Sequence, residues 1–129
     1  MKHCKTKSRF IDNGDGTVTD NYTGLMWQQE TASGTYNWQN ALRYCENLEL
    51  AGHKDWRLPN VKELQSIIDY GRYRPSINPV FNAKSARYWS SITDEDNTHG
   101  AWSVFFWRGD VGHHYKTAEH YVRAVRGRP

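Results

Sequence analysis

Apolar residues recur along this chain with two periods, and the period changes once. Trp38, Ala41, Leu42, Cys45 and Leu48 fall at helical spacing, with Asn37 before them as an N-cap. This pattern predicts a helix from Trp38 to about Leu50, stopped by Ala51-Gly52. Asp55-Trp56-Arg57-Leu58-Pro59 reads as a tight connector, and Arg57 is expected to tie it down by bonds to backbone carbonyls. Asn60 caps a second predicted helix with Val61, Leu64, Ile67 and Ile68 inward and Gly71 near its end. Residues 72–87, with Pro75 and Pro79, read as a long loop. From Tyr88 onward the period is two. It predicts strands Tyr88–Ile92, Ala101–Trp107, Val111–Lys116 and Tyr121–Arg126. A polar loop, Thr93–Gly100, and the turn Arg108-Gly109-Asp110 separate the first three.

The N-terminal part carries the stretch IDNGDGTVTD at residues 11–20, which resembles a calcium loop in its density of Asn, Asp and Gly. With Gly16 at the loop's sixth position, Asn13 and Asp15 would be ligands, but Ile11 and Tyr22 would stand where oxygen ligands are required. The spacing excludes that cage. Arg9-Phe10-Ile11 and Thr17-Val18-Thr19 instead read as strands joined by a tight turn rich in residues that accept positive φ. A hairpin region over 9–28, a loop at 29–36, two helices and then an antiparallel sheet give an α+β fold, not a doubly wound one. The organisation is a basic tail, 1–8, and one domain, 9–127.

Composition adds constraints. A length of 129 residues is enough for one domain with a real core. Mean hydropathy is low, at -0.90, yet the chain holds six Trp and eight Tyr. No apolar run approaches the roughly 20 residues of a membrane span, so membrane insertion is not expected. No apolar stretch follows Met1-Lys2-His3-Cys4-Lys5, as a signal peptide would require; a cytosolic product or a domain cut from a longer exported protein is expected. Net charge is +3, with Lys2, Lys5, Lys7 and Arg9 at one end and Arg123, Arg126 and Arg128 at the other. Meeting in space, these ends would form one positive patch. Cys4 and Cys45 are too few for a disulfide scaffold; Cys45 is either a small core residue or the partner of Cys4. No Cys-His-Asp set is spaced for zinc or for nucleophilic catalysis.

Six segments in order, RFIDNGDGTVTDNYTGLMWQ, NWQNALRYCENL, AGHKDWRLPNVKELQSIIDY, YWSS, AWSVFFWRGDVGHHY and YVRAVRG, together resemble the Lcl C-terminal-domain family over residues 9–127. The resemblance implies a C-type-lectin-like fold: a twisted antiparallel sheet, two helices, and N- and C-terminal strands that pair. It implies kinship with the formylglycine-generating-enzyme and sulfatase-modifying group, and with variable proteins of diversity-generating retroelements. It also implies kinship with a collagen-like adhesin that recognises sulfated glycosaminoglycans. The enzymes of that group need two cysteines in the C-terminal half, and here none follows Cys45, so no catalysis and no cofactor are expected. Many members carry Cys where this chain has Ala124, which removes that partner for Cys45.

On strand Ala101–Trp107, alternation puts Trp102, Val104 and Phe106 on one face, and the family pattern marks that face as the core. Ser103, Phe105 and Trp107 would then face outward. Phe105, Trp107 and Tyr115 are expected anchors, with Arg108, Asp110, His113, His114 and His120 setting specificity. Asp94, Asp96, His99, Ser103 and Thr117 complete the expected surface. Trp38, Trp56, Trp89 and Trp102 are expected in the core. His113 and His114 are adjacent on a strand and should point to opposite faces, which argues against a shared metal ion. Most of these residue types are ones that adenine-directed mutation of asparagine codons can produce. They alternate with framework residues such as Val104, Phe106, Gly109 and Val122. Trp107 and Glu119 do not fit such codons.

The expected function is ligand binding without catalysis. One reading is a diversified receptor for a protein or surface ligand, displayed on a cell or virus. The alternative is an adhesin that binds sulfated glycans through basic patches. Nucleic acid is not an expected partner, and the pattern is compatible with an oligomer or with a purely structural tip.

Overall fold

The structure is a computed structural model that describes residues 8–127. The first segment is a meander of β1 (Phe10–Asp12), β2 (Thr17–Asp20) and β3 (Met26–Gln28). The turn between β1 and β2 uses its own polar side chains. Asp12 accepts from the Gly14 N–H, and Asp15 accepts from both the N–H and the hydroxyl of Thr17. The oxygens that suggested a cation cage therefore close a hairpin, and Gly14 and Gly16 take the positive φ it needs, at 77° and 90°. At the next turn Arg9 makes two 2.9 Å bonds to the buried carboxylate of Asp20. Burial opposes charge on Asp20, but Arg9, the Tyr22 N–H and the Thr23 hydroxyl outweigh it and hold its pKa below the ordinary value.

Helix α1 (Trp38–Asn47) starts where Asn37 accepts from the Asn40 N–H. It ends at Leu48, short of the predicted Leu50, because Ala51 and Gly52 turn the chain with positive φ (53° and 78°). It buries Trp38, Ala41 and Cys45. Helix α2 (Val61–Ser66) has a capping box in which Asn60 and Glu63 satisfy each other's backbone N–H. Glu63 also holds Arg57 through two 2.7 Å bonds. The expected Arg57-to-carbonyl tie is a single bond, to Gly127, beside this ion pair. The loop that follows contains a short 3-10 helix, Pro79–Phe81.

Strands β4 (Arg87–Thr93), β5 (Gly100–Phe105) and β6 (Asp110–Tyr115) form a three-stranded antiparallel sheet in that order. Strand β5 ends at Phe105 rather than Trp107. The Phe106 and Trp107 carbonyls leave the sheet and accept from the Ser76 and Arg74 N–H groups of the preceding loop. The final strand, β7 (Val125–Arg126), pairs with β3, completing a four-stranded sheet of order β1-β2-β3-β7. The C-terminal strand thus joins the N-terminal sheet, on the edge opposite β1. The architecture is α+β with two helices and two antiparallel sheets.

One core cluster gathers Val18, Trp27, Leu64, Ile67, Phe81, Tyr88, Val104 and Phe106 under α2. The other gathers Trp38, Ala41, Cys45, Trp56, Trp89, Ala101, Val122 and Ala124 under α1. Ala124 shares this second cluster with Cys45, which is free and fully buried; Cys4 lies outside the described residues. The segment Tyr121–Ala124, expected as strand, crosses between the two sheets through single pairings. Tyr121 bonds Arg87 and Trp89, Val122 bonds Ala32, and Ala124 bonds Gln28.

Arg123 in this crossing is only 1% exposed. Its guanidinium donates to the carbonyls of Gln28, Gln29 and Phe81 and to the Thr31 hydroxyl. Arg123→Ala would strand two buried carbonyls and one part-buried one and open a cavity; a loss of at least ~3 kcal/mol in chemical denaturation is the expected outcome. Burial raises the Cys45 thiol from 9.0 to about 12. Native protein should therefore react with a thiol reagent at this position only as fast as it opens, and denatured protein at the ordinary rate.

Candidate ligand-binding surface

The predicted site residues do not share one face. Register pairs Phe105 with Arg87 and Asp110, Ser103 with Trp89 and Gly112, and Ala101 with His114. It pairs Val104 with Tyr88 and Val111, Trp102 with His113, and Gly100 with Tyr115. Directly paired residues project to the same side. Phe105, Asp110 and His114 therefore lie on one face, and His113 and Tyr115 on the other. Tyr115, expected beside Phe105, is on the opposite side of the sheet. His113 and His114 separate as their adjacency requires.

Both faces are covered over much of their area, which corrects several expectations. Ser103 is fully buried and donates to the Gly112 carbonyl, so it offers nothing to a ligand. Asp94 is 6% exposed; its carboxylate accepts from the Asp96 N–H and pairs with His113 Nδ1 at 3.0 Å. His120 packs its ring against Trp89 and His114, and its Nε2 is buried without a partner. These three residues support the surface from within. Trp102 departs in the other direction. It shares a face with Val104 as expected but is only half-buried, with residues of α2 beside it and not over it. With Val61, Lys62, Gln65, Ile92 and Val111 it lines an apolar groove of about 490 Å³.

The other face ends in an aromatic and cationic cluster. Phe105 and Trp107 stack with ring centroids 5.8 Å apart and planes 20° from parallel. Arg87 lies over Phe105 at 4.4 Å, and Arg74 and Arg108 lie against Trp107 at 4.8 and 5.8 Å. Arg108 also bonds Asp110 at 2.5 Å. Tyr73, Arg74, Trp107 and Arg108 line a cleft of about 480 Å³. The turn that presents Trp107 and Arg108 requires Gly109. Its φ is 84°, and a Cβ there would meet the Ile68 side chain at 3.0 Å. Each cation–π contact at such a site is worth ~0.5–1 kcal/mol, enough to align the guanidinium groups without hiding them. Of the three arginines, Arg108 bonds a carboxylate, that of Asp110, and Arg74 and Arg87 are held by rings. Sequence reasoning found Phe105, Trp107, Arg108 and Asp110 but missed Arg74 and Arg87. Arg87 could have been found by pairing its strand with Phe105; Arg74 comes from a distant loop and carries no local signal.

Asp96, His99, Arg108, Asp110, His113, Tyr115 and Thr117 are exposed as expected. The joined basic patch is not formed by the described terminal residues. Arg9 is spent on Asp20, Arg123 is buried, and Arg126 bonds Asp55 at 2.7 Å. The remaining terminal cations, Lys2, Lys5, Lys7 and Arg128, lie outside the described residues.

Burial, then the neighbouring His114, then Arg87 push His120 from 6.5 to about 4. The folded state keeps this ring neutral while the unfolded chain protonates it. Its contribution is full above pH 6.5 and is lost as pH falls towards 4. Denaturation midpoints should drop across that window, and His120→Phe should flatten the drop while keeping the ring against Trp89.

The family model of the Lcl C-terminal domain matches residues 16–126. The chain belongs to that family. No curated protein matches it significantly.

Proposed function

We propose that this Lcl C-terminal domain is a non-catalytic ligand-binding module of C-type-lectin-like architecture, which meets a protein or surface ligand through its C-terminal sheet. The observation that carries the reading is the Phe105–Trp107 stack with Arg74, Arg87 and Arg108 around it. Stacked rings supply rigid contact area, and guanidinium groups held on rings supply oriented donors, the combination that dominates binding hot spots. Diversification of this surface is supported by where the variable-type residues fall. Most of them are exposed, whereas the framework residues Val104, Phe106, Val122 and Val125 are at most 1% exposed; of the other framework residues, Trp102 and Lys116 are half-buried and Val111 is exposed. Substitution outside would leave the core intact. Asp94, Ser103 and His120 are exceptions, and in this reading they are fixed.

A second reading, an adhesin for sulfated glycans, is favoured by the same three arginines. It moves the anion-binding patch from the termini to the Trp107 turn. Sequencing the gene's 3′ end across its source population separates the two readings. Variation confined to the exposed codons of residues 93–120, beside a near-copy repeat and a reverse transcriptase, marks the diversified receptor. An invariant stretch sinks it and leaves the adhesin.

The surface itself is tested separately. For an identified ligand, Phe105→Ala with Trp107→Ala should cost about 2 kcal/mol or more per ring if they are hot spots. Unchanged binding by a folded double variant rejects the site. With heparin as probe, retention should fall steeply with salt and fall further in Arg74→Gln, Arg87→Gln and Arg108→Gln variants.

A further inference from the structure

Strand β6 is the outer strand of its sheet, and among the described residues its ladder leaves one edge open. Lys116 donates its backbone N–H to the His99 carbonyl at 2.8 Å. Alternation from that bond makes Ala101–His114, Ser103–Gly112 and Phe105–Asp110 the hydrogen-bonded pairs of β5 and β6. The N–H and C=O groups of Val111 and His113, and the N–H of Tyr115, consequently point away from the sheet. The Tyr115 carbonyl is taken by the Ala118 N–H. The usual protections of an edge are missing from residues 111–115: no proline, no lysine, no bulge, and Val111 and Tyr115 are 37% and 68% exposed.

We propose that this edge pairs with the same edge of a second copy of the chain, antiparallel about a two-fold axis at His113. The sequence of the strand, Asp110-Val-Gly-His-His-Tyr-Lys116, is self-complementary in that register. His113 meets its own mate, so the outward backbone groups of the two strands face one another. Val111 stands opposite Tyr115 of the second copy, a β-branched residue against an aromatic one, twice over. On the other side of the ribbon Asp110 stands opposite Lys116, again twice. Shifting the register by two residues in either direction loses both matches. The two three-stranded sheets become one of six strands. The half-exposed Trp102 and Val111 groove of each copy then lies beside the other copy's Tyr115. Phe105 lies one strand in from the shared edge, paired with Asp110, so each dimer would present two ligand sites flanking the seam.

Crosslinking of single-cysteine variants tests the pairing. In a Cys4→Ser background the only other thiol is the buried Cys45. His113→Cys places two thiols on residues about 5.5 Å apart between Cα atoms, within reach of a disulfide or a short bis-maleimide. Thr117→Cys is exposed too, but the two-fold separates its copies by more than about 20 Å. The expected result is covalent dimer from His113→Cys about tenfold faster than from Thr117→Cys, the effective-concentration gain of a held pair. Adding Val111→Pro, whose lost N–H faces the open edge, should bring the rate down to that of the control, with near-UV circular dichroism unchanged. Equal rates for the two cysteine positions in folded protein overturn the proposal. So does a His113→Cys dimer that survives Val111→Pro.

Discussion

The fold hangs on one buried cation. Arg123 makes no ion pair among the described residues; its charge is met by three carbonyls and a hydroxyl drawn from the end of β3, the following loop and the short 3-10 helix. Phe81 and Tyr88 flank the same guanidinium with their rings. A planar group with several fixed donors can satisfy carbonyls from separate segments at once, which an ammonium could not do with the same geometry. The C-terminal crossing is thereby pinned between the two sheets. From that position it closes both core clusters, contributing Val122 and Ala124 to one and Val125 to the other.

Closure on both sides explains the shape of the surface. A three-stranded sheet with cores against both faces has little room for a broad ligand platform. Exposed chemistry is therefore displaced to its margins. At one end, β5 stops early because Phe106 and Trp107 bond to the preceding loop, and this swings Trp107 outward onto Phe105. On the other face, Trp102 is left half covered in a groove beside α2. At the outer edge, β6 keeps unpaired backbone groups. The surface features are by-products of how the core is completed, and that makes them free to differ in side chain without cost to the fold.

Charge follows a similar economy. The described terminal arginines are consumed internally, each by a partner that fixes a turn or a strand end: Asp20 for Arg9, Asp55 for Arg126, backbone for Arg123. At the Trp107 turn, exposed Arg74 and half-buried Arg87 are held by aromatic rings, and exposed Arg108 by the Trp107 ring together with Asp110. Cations held in this way keep donors available for an incoming group. This distinction between neutralised and presented charge is invisible to a count of net charge.

The sequence alone determined the local structure. Helix faces, the Asn37 and Asn60 caps, the Gly-rich hairpin and the alternating strands are dictated by residues a few positions apart, so their patterns are legible in one dimension. It also determined the family, because those segments occur in a distinctive order. The tertiary structure decided what each strand residue meets across the sheet. Alternation correctly grouped Trp102 with Val104 and Ser103 with Phe105, but it could not say how far each face is covered. That depends on where α2 and residues 121–124 pack against the sheet. Hence Ser103, Asp94 and His120 turned inward, Trp102 turned half outward, and Tyr115 parted from Phe105. Arg74 entered the site from a loop some thirty residues away because two carbonyls of residues 106 and 107 needed donors. Hydrogen-bond demand of that kind is set by the folded backbone, and no pattern in the chain records it.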